Sequence, residues 1–232
     1  MNSQQSLRPL SEPQTSAAGI REWLDSLTPE QRRLMNERAE EFDREQAESK
    51  ASDRRRLAGI PARYTCAVVG NVPELEGVDL TASMLLMGPQ GRGKTYAACA
   101  VLNRRAKECT VRFSTFDGIL KEVQATFNGI GSVDQVLSKY RNCACLVIDD
   151  FGKEKPTDYT IGQFFALLDW RIANAKQTIV TSNYALPQLM ERLSLCGEKH
   201  TVAAIMSRLS SVTVEDGGFQ RVVFRERDRR LA

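Results

Sequence analysis

The sequence predicts an α/β fold: a parallel central sheet flanked by helices, built around a phosphate-binding loop. Three observations carry that expectation. First, Gly88-Pro89-Gln90-Gly91-Arg92-Gly93-Lys94-Thr95 matches G-x-x-x-x-G-K-[ST] in full. It lies between the apolar run Met84-Leu85-Leu86-Met87 and Tyr96 to Leu102, which has the composition of a buried helix; strand, glycine turn, helix is the context in which this motif binds phosphate. Second, Cys145-Leu146-Val147-Ile148 is a continuous apolar run ending in Asp149-Asp150, the pattern of a central strand buried on both faces. Third, the intervening segments alternate strand, helix, strand, which implies parallel pairing through crossover helices.

Composition narrows the class. The chain has 232 residues, 42% hydrophobic and 26% charged, ordinary values for a soluble protein with a sizeable core. A formal charge of +3 permits a nucleic-acid partner without requiring one. No apolar run approaches the roughly 18 residues of a membrane span, and the polar start lacks the apolar segment of a signal peptide, so a cytoplasmic protein with no membrane partner is expected. The six cysteines sit mostly in apolar runs, where a free thiol behaves as a small hydrophobe. Cys143-Ala144-Cys145 lacks the second pair that zinc would need, and His200, the single histidine, is distant in sequence.

Taken in order, residues 1–17 are rich in Ser and Pro without periodicity and read as a disordered tail. Residues 18–53 read as a helical extension. In it Thr28-Pro29-Glu30-Gln31 starts a charged helix, with Thr28 as cap, Pro29 in the first turn and Gln31 closing a capping box. Leu34, Met35, Ala39, Phe42 and Ala47 form only a thin apolar stripe, so this helix is expected to dock on a partner or lie along the main body. The globular domain is expected over 54–232. Thr110 to Thr115 alternates as a strand, Phe116 to Phe127 is amphipathic, Asn128-Gly129-Ile130 interrupts, and a further helix carries Val133, Val136, Leu137 and Tyr140. Tyr159 to Ala173 reads as a helix and Gln177 to Asn183 as a strand with a polar end. Helices follow around Leu189 and from His200 to Ser210, then a hairpin-like tail (Val212 and Val214, Asp216-Gly217-Gly218, Val222 to Phe224) with Arg225, Arg227, Arg229 and Arg230.

The site chemistry follows from residue types. Glycines let successive N–H groups point into one concavity at a helix start, which holds a polyphosphate. Lys94 adds a charge that reaches the β- and γ-phosphates, and the Thr95 hydroxyl suits Mg²⁺. Asp149 is placed to hold that ion, and Asp150 to orient or deprotonate an attacking water. The Asn183 amide can bond the γ-phosphate or the water, although asparagine after a strand is also a common turn residue. Arg208 can either face water or complete the site of a neighbouring subunit.

With these residues in view, residues 54–224 resemble the DnaC/IstB-like AAA+ ATPases, helicase loaders and transposon ATPase subunits. The resemblance rests on Arg55 to Tyr64, the phosphate loop, Leu146 to Thr157, Thr178 to Asn183, and Ile205 to Leu209. It implies an AAA+ domain that hydrolyses ATP with Mg²⁺, Asn183 as the sensor, and Arg208 as an arginine finger acting across a self-association interface. It also implies that the helices around Asn128-Gly129-Ile130 are the insertion of loaders and initiators, that the N-terminal helices engage a hexameric replicative helicase, and that the ATPase ring engages single-stranded DNA. Too little chain follows Arg208 for a separate C-terminal lid. A transposition helper acting on duplex DNA shares every one of these motifs. A small-molecule kinase would need a basic closing lid, whereas residues 117–140 offer only Lys121 and Lys139. An adaptor that binds ATP without hydrolysing it is the remaining alternative.

Overall fold

The computed structural model describes residues 17–129, 131–211 and 218–225, with the side chain of Asn128 also left aside. The tail to residue 16, Ile130, the first half of the expected hairpin and Arg227, Arg229 and Arg230 lie outside these residues.

The chain divides into two compact units, Met1–Glu48 and Ser49–Ala232. In the first, helix α1 (Ala17–Ser26) precedes helix α2 (Pro29–Leu57), which runs on into the second unit. The expected capping box is formed: the Gln31 N–H donates to Thr28 Oγ1 at 3.2 Å and the Thr28 N–H to Gln31 Oε1 at 3.0 Å. The charged helix does not stop within the expected extension 18–53. It continues through Arg54-Arg55-Arg56 to Leu57, because nothing in that stretch breaks a helix and cations favour its C-terminal turn.

The second unit is built on a five-stranded sheet, all parallel, in the order β2-β3-β4-β1-β5. The strands are β1 (Met84–Met87), β2 (Val111–Thr115), β3 (Cys145–Asp149), β4 (Gln177–Ser182) and β5 (Gln220–Val223). Side chains alternate between two cores. Leu85, Leu146, Ile148 and Val180 face helices α4 (Phe116–Ala125), α5 (Val133–Asn142), α6 (Asp158–Ala173), α7 (Leu186–Leu193) and α8 (Lys199–Ser210). Met84, Leu86, Val147, Ile179 and Val222 face helix α3 (Lys94–Arg105) and the irregular segment from Ala58 to Leu80. The described part of the expected hairpin, β5, joins the sheet as an edge strand parallel to β1, since Val222 and Phe224 are needed to cover that core.

The order of the strands positions the site. From β1 the chain crosses to the far edge at β2 and returns through β3 and β4 until β4 lies beside β1. The C-terminal ends of β1, β3 and β4 are thereby neighbours at the point where the winding reverses, the usual place for a ligand crevice.

One buried residue fastens α5 and α6 to this frame. Arg171 is fully buried with no carboxylate partner among the described residues, and its guanidinium donates to the carbonyls of Tyr140 (2.6 Å), Arg141 and Cys143 (3.0 Å each) and Gln177 (2.5 Å), and to Thr178 Oγ1 (2.9 Å). Burial pushes its pKa down, and the fork geometry compensates by satisfying acceptors on α5, just beyond it, and on β4. Arg171→Lys cannot reproduce that fork, so chemical denaturation should show a loss of about 3 kcal/mol. Unchanged stability would mean that these bonds are replaceable.

Candidate functional site

The phosphate loop begins where β1 ends. The Gly88 N–H donates to the Ser182 carbonyl at 3.3 Å, and a Cβ at Gly88 would lie 2.3 Å from the Phe224 carbonyl oxygen, so only glycine fits between the ends of β4 and β5. At the other end Gly93, with φ of 94°, is the residue that precedes α3, and the first turn of that helix faces the loop.

Two chains of hydrogen bonds run across the site. In the first, Lys94 is buried and its ammonium donates to the carbonyls of Gly88 (2.7 Å) and Pro89 (2.8 Å) and to Asn183 Oδ1 (2.8 Å). The Asn183 amide in turn donates to Asp150 Oδ1 at 3.4 Å, and Lys153 Nζ lies 3.6 Å from the other oxygen of Asp150. In the second, Thr95 Oγ1 donates to Asp149 at 3.0 and 3.2 Å, and Thr181 Oγ1 donates to Asp149 Oδ1 at 2.6 Å. The same Thr181 hydroxyl accepts the Asp150 N–H at 2.9 Å, and the Thr181 carbonyl accepts the Phe151 N–H at 2.8 Å. Asp150 has φ of 60°, an uncommon conformation for a residue with a side chain, and these bonds hold it there.

Burial is the main influence on Asp149 and raises its pKa. The Thr181 bond opposes this, the Asp150 charge adds to it, and Thr95 and Lys94 oppose it. A buried carboxylate in this state sits beside a hydroxyl and another acid, a set of hard oxygens suited to a divalent cation. The loop amides and Lys94 suit a polyphosphate, and Asp150 is a proton acceptor at its far end.

The sequence-predicted residues Gln90, Gly91, Gly93, Lys94, Thr95, Asp149, Asp150 and Asn183 all line one cleft of about 380 Å³. Arg208 is not brought there. It lies on α8, paired with Asp169 of α6 and set 4.7 Å over the Phe165 ring, with its side chain 31% exposed. Sequence reasoning missed Thr181, whose signal is a β-branched hydroxyl residue near the end of β4, two residues before Asn183. It also gave no role to Arg63, Tyr64, Asn71 and Tyr96, which form the wall beside the loop. Tyr64 meets Tyr96 edge-on at 6.3 Å, Arg63 stacks 4.5 Å over Tyr64, and the Tyr96 hydroxyl accepts from the Val68 N–H and the Asn71 amide, each at 3.3 Å. An aromatic and polar wall next to a phosphate loop is what a base and sugar need.

This sheet order, with the loop after β1, the acid pair after β3 and the amide after β4, defines a P-loop nucleotide-binding protein of the AAA+ type. The IstB-like ATP binding protein family matches residues 15–216, and the chain belongs to that family. Rv3427c of Mycobacterium tuberculosis, named for ATP binding in an insertion sequence, is 29% identical over 120 residues, 51% of this chain and 47% of the relative. The chain spans less than half the length of the curated relatives that it matches first. Among solved structures, DnaI aligns with a TM-score of 0.59 at 20% identity, covering 72% of this chain and 96% of that one. The DnaC helicase loader aligns at 0.54 and 20%, covering 71% and 100%. At these identities the likeness is one of fold. Among the described residues no helix is long and apolar enough to cross a membrane.

The raised pKa of Asp149 gives a stability test. Its native carboxyl holds a proton at pH values where the unfolded one has lost it, so the charged form weakens the fold above that window, and the penalty fades as the pH falls through it. Asp149→Asn, which can still accept from Thr95 and Thr181, should therefore raise the melting temperature at pH 7. The gain should shrink toward pH 4. A variant that melts lower at pH 7 would show that the carboxylate stabilises the apo fold.

Proposed function

We propose that this protein is a Mg²⁺-dependent ATPase that assembles on single-stranded DNA and loads a hexameric replicative helicase. The observation that supports the ATPase most directly is the convergence of Lys94, Asn183 and Asp150 in one hydrogen-bonded chain beside the Thr95 and Asp149 pair. The loop amides and the α3 N-terminus bind the polyphosphate, while the Tyr64 and Tyr96 wall receives the base.

Thr95 and Asp149 would hold Mg²⁺. Two adjacent hard oxygens fit it, since this ion takes few protein ligands and fills its shell from water and phosphate. When bound it would neutralise charge on the polyphosphate. Lys94 stabilises charge that grows on the γ-phosphoryl oxygens. Asn183, oriented by Lys94, presents its amide to the attacking water, and Asp150 accepts a hydrogen bond or proton from that water. Arg208 acts in trans, on the cleft of an adjacent subunit. It does not line the cleft of its own chain and pairs instead with Asp169, which supports that reading. The helices around Asn128-Gly129 are the extra helical insertion of loaders and initiators. Within its own unit α2 leaves Leu34 and Phe42 exposed, which favours a docking role for residues 18–53.

The name of Rv3427c favours a second reading, a transposition helper on duplex DNA. Phosphate release measured with single-stranded DNA, duplex DNA and a replicative helicase in turn separates them: a loader responds to the first and third, a helper to the second. Lys94→Ala should abolish Mg-ATP binding. Arg208→Ala should retain binding and lose about 10³-fold in DNA-stimulated turnover; full stimulated turnover would remove the trans role. Absence of turnover in every arm would leave an adaptor that binds ATP and does not hydrolyse it.

A further inference from the structure

The C-terminal ends of α2 and α3, about fifty residues apart in sequence, are bound together. Arg54 Nη1 donates to the carbonyls of Ala106 (3.0 Å) and Lys107 (3.2 Å), capping α3 and placing Arg55 beside Arg104 and Lys107. Those three cations line a groove of about 390 Å³ whose floor includes Ala100 and whose far wall is the segment Thr65 to Gly70. The wall is held in place from below. Asn103 is buried, and its amide donates to the carbonyls of Tyr64 (3.1 Å), Thr65 (3.2 Å) and Ala67 (3.0 Å).

Charge is concentrated here. Two short stretches, 53–56 and 104–108, bring Arg54, Arg55, Arg56, Arg104, Arg105 and Lys107 together with Asp53 and Glu108, a net of +4 over those stretches, while the whole chain carries +3. The two carboxylates are already engaged, by Arg56 and Arg105 respectively. Arg104 and Lys107 make no side-chain hydrogen bond or ion pair with the described residues. Each helix dipole favours cations at its own C-terminal end, but bringing the two ends together also sets like charges beside one another, which repel. A concave, cationic channel with small apolar side chains at its base fits a chain of phosphates and sugars; a flat anionic surface would reach only its rim.

We propose that this groove is a second contact site, for the phosphodiester backbone of a nucleic acid, with Arg55, Arg104 and Lys107 each engaging a phosphate. It rests on the nucleic-acid part of the proposed function and gives that part a location distinct from the nucleotide cleft. The two share one wall: Arg63, Tyr64 and Asn71 line the cleft, and Thr65 to Gly70 line the groove.

The test uses the full chain and three fluorescent probes: a single-stranded oligothymidylate, a duplex of the same length, and vesicles of phosphatidylglycerol, each titrated across a salt series. For the triple variant Arg55→Gln, Arg104→Gln, Lys107→Gln, affinity for the nucleic acid that the wild type binds should fall at least tenfold. The slope of log affinity against log salt should flatten by about 2 for a single strand or 2.7 for a duplex. The double variant Arg104→Gln, Lys107→Gln, which alters only exposed side chains, should show about two thirds of that slope change, and both should keep the wild-type affinity for Mg-ATP. Cys66 gives an independent readout, since it is the one exposed cysteine and lines the groove, whereas Cys99, Cys143, Cys145 and Cys196 are buried and Cys109 is half-buried with its thiol pKa pushed up by burial. Its alkylation in the wild type should slow when the oligonucleotide is bound. If the wild type binds DNA with Cys66 unprotected and both variants keep affinity and slope, the groove is not the site and the DNA-binding reading survives. If the wild type binds neither nucleic acid, both fall. Loss confined to the vesicles would assign the face to lipid and overturn the proposal.

Discussion

The carboxylate of Asp149 is the constraint around which the rest of the site is arranged. It closes β3, accepts from Thr95 at the start of α3 and from Thr181 on β4, and is buried beneath both. Because Thr181 also holds the Asp150 backbone in its left-handed conformation, one hydroxyl sets the direction of one acid and the position of the next. A buried carboxylate with a raised pKa weakens the fold that contains it. Its presence is understandable only as a ligand set kept ready for charge, a stability sacrifice common at functional sites.

The parallel sheet turns this local geometry into a site. Only the return of β4 to the side of β1 brings Asn183 within reach of Lys94, and only the approach of the β5 end to Gly88 closes the far side of the loop. Arg171 secures the opposite flank with five neutral oxygen acceptors, so that α6 and α8, which carry Asp169 and Arg208, are fixed relative to β4. The irregular segment between α2 and β1 then supplies what regular elements do not: an aromatic wall for the cleft on one side and a boundary for the basic groove on the other.

Much of this was legible in the sequence, and the reasons are specific. The phosphate loop, the Asp149-Asp150 pair and Asn183 could be read because each chemistry demands a particular residue at a particular offset from a strand. The capping box at Thr28 and Gln31 could be read because it is local. Thr181 was not read as a site residue, since a threonine in a strand is ordinary until its partner across the sheet is known. Tyr64, Tyr96 and Asn71 were hidden for a similar reason: their wall forms only when a segment without periodicity folds back on α3. The meeting of Arg54 to Arg56 with Arg104 to Lys107 is tertiary, and charge runs read along the chain carry no information about a shared face. Helix α2 overran its expected end because composition changes there without any residue that stops a helix.

The central claim is that the Thr95, Asp149 and Thr181 bonds organise a nucleotide site that works with a divalent cation. Titration calorimetry of the wild type and of Thr181→Val with a non-hydrolysable ATP analogue, in Mg²⁺ and in chelator, tests it directly. The account predicts saturable one-site binding in the wild type that weakens in chelator, and a smaller Mg²⁺ dependence in Thr181→Val although Lys94 is untouched. Binding of equal strength in all four titrations, or none in the wild type, would contradict it.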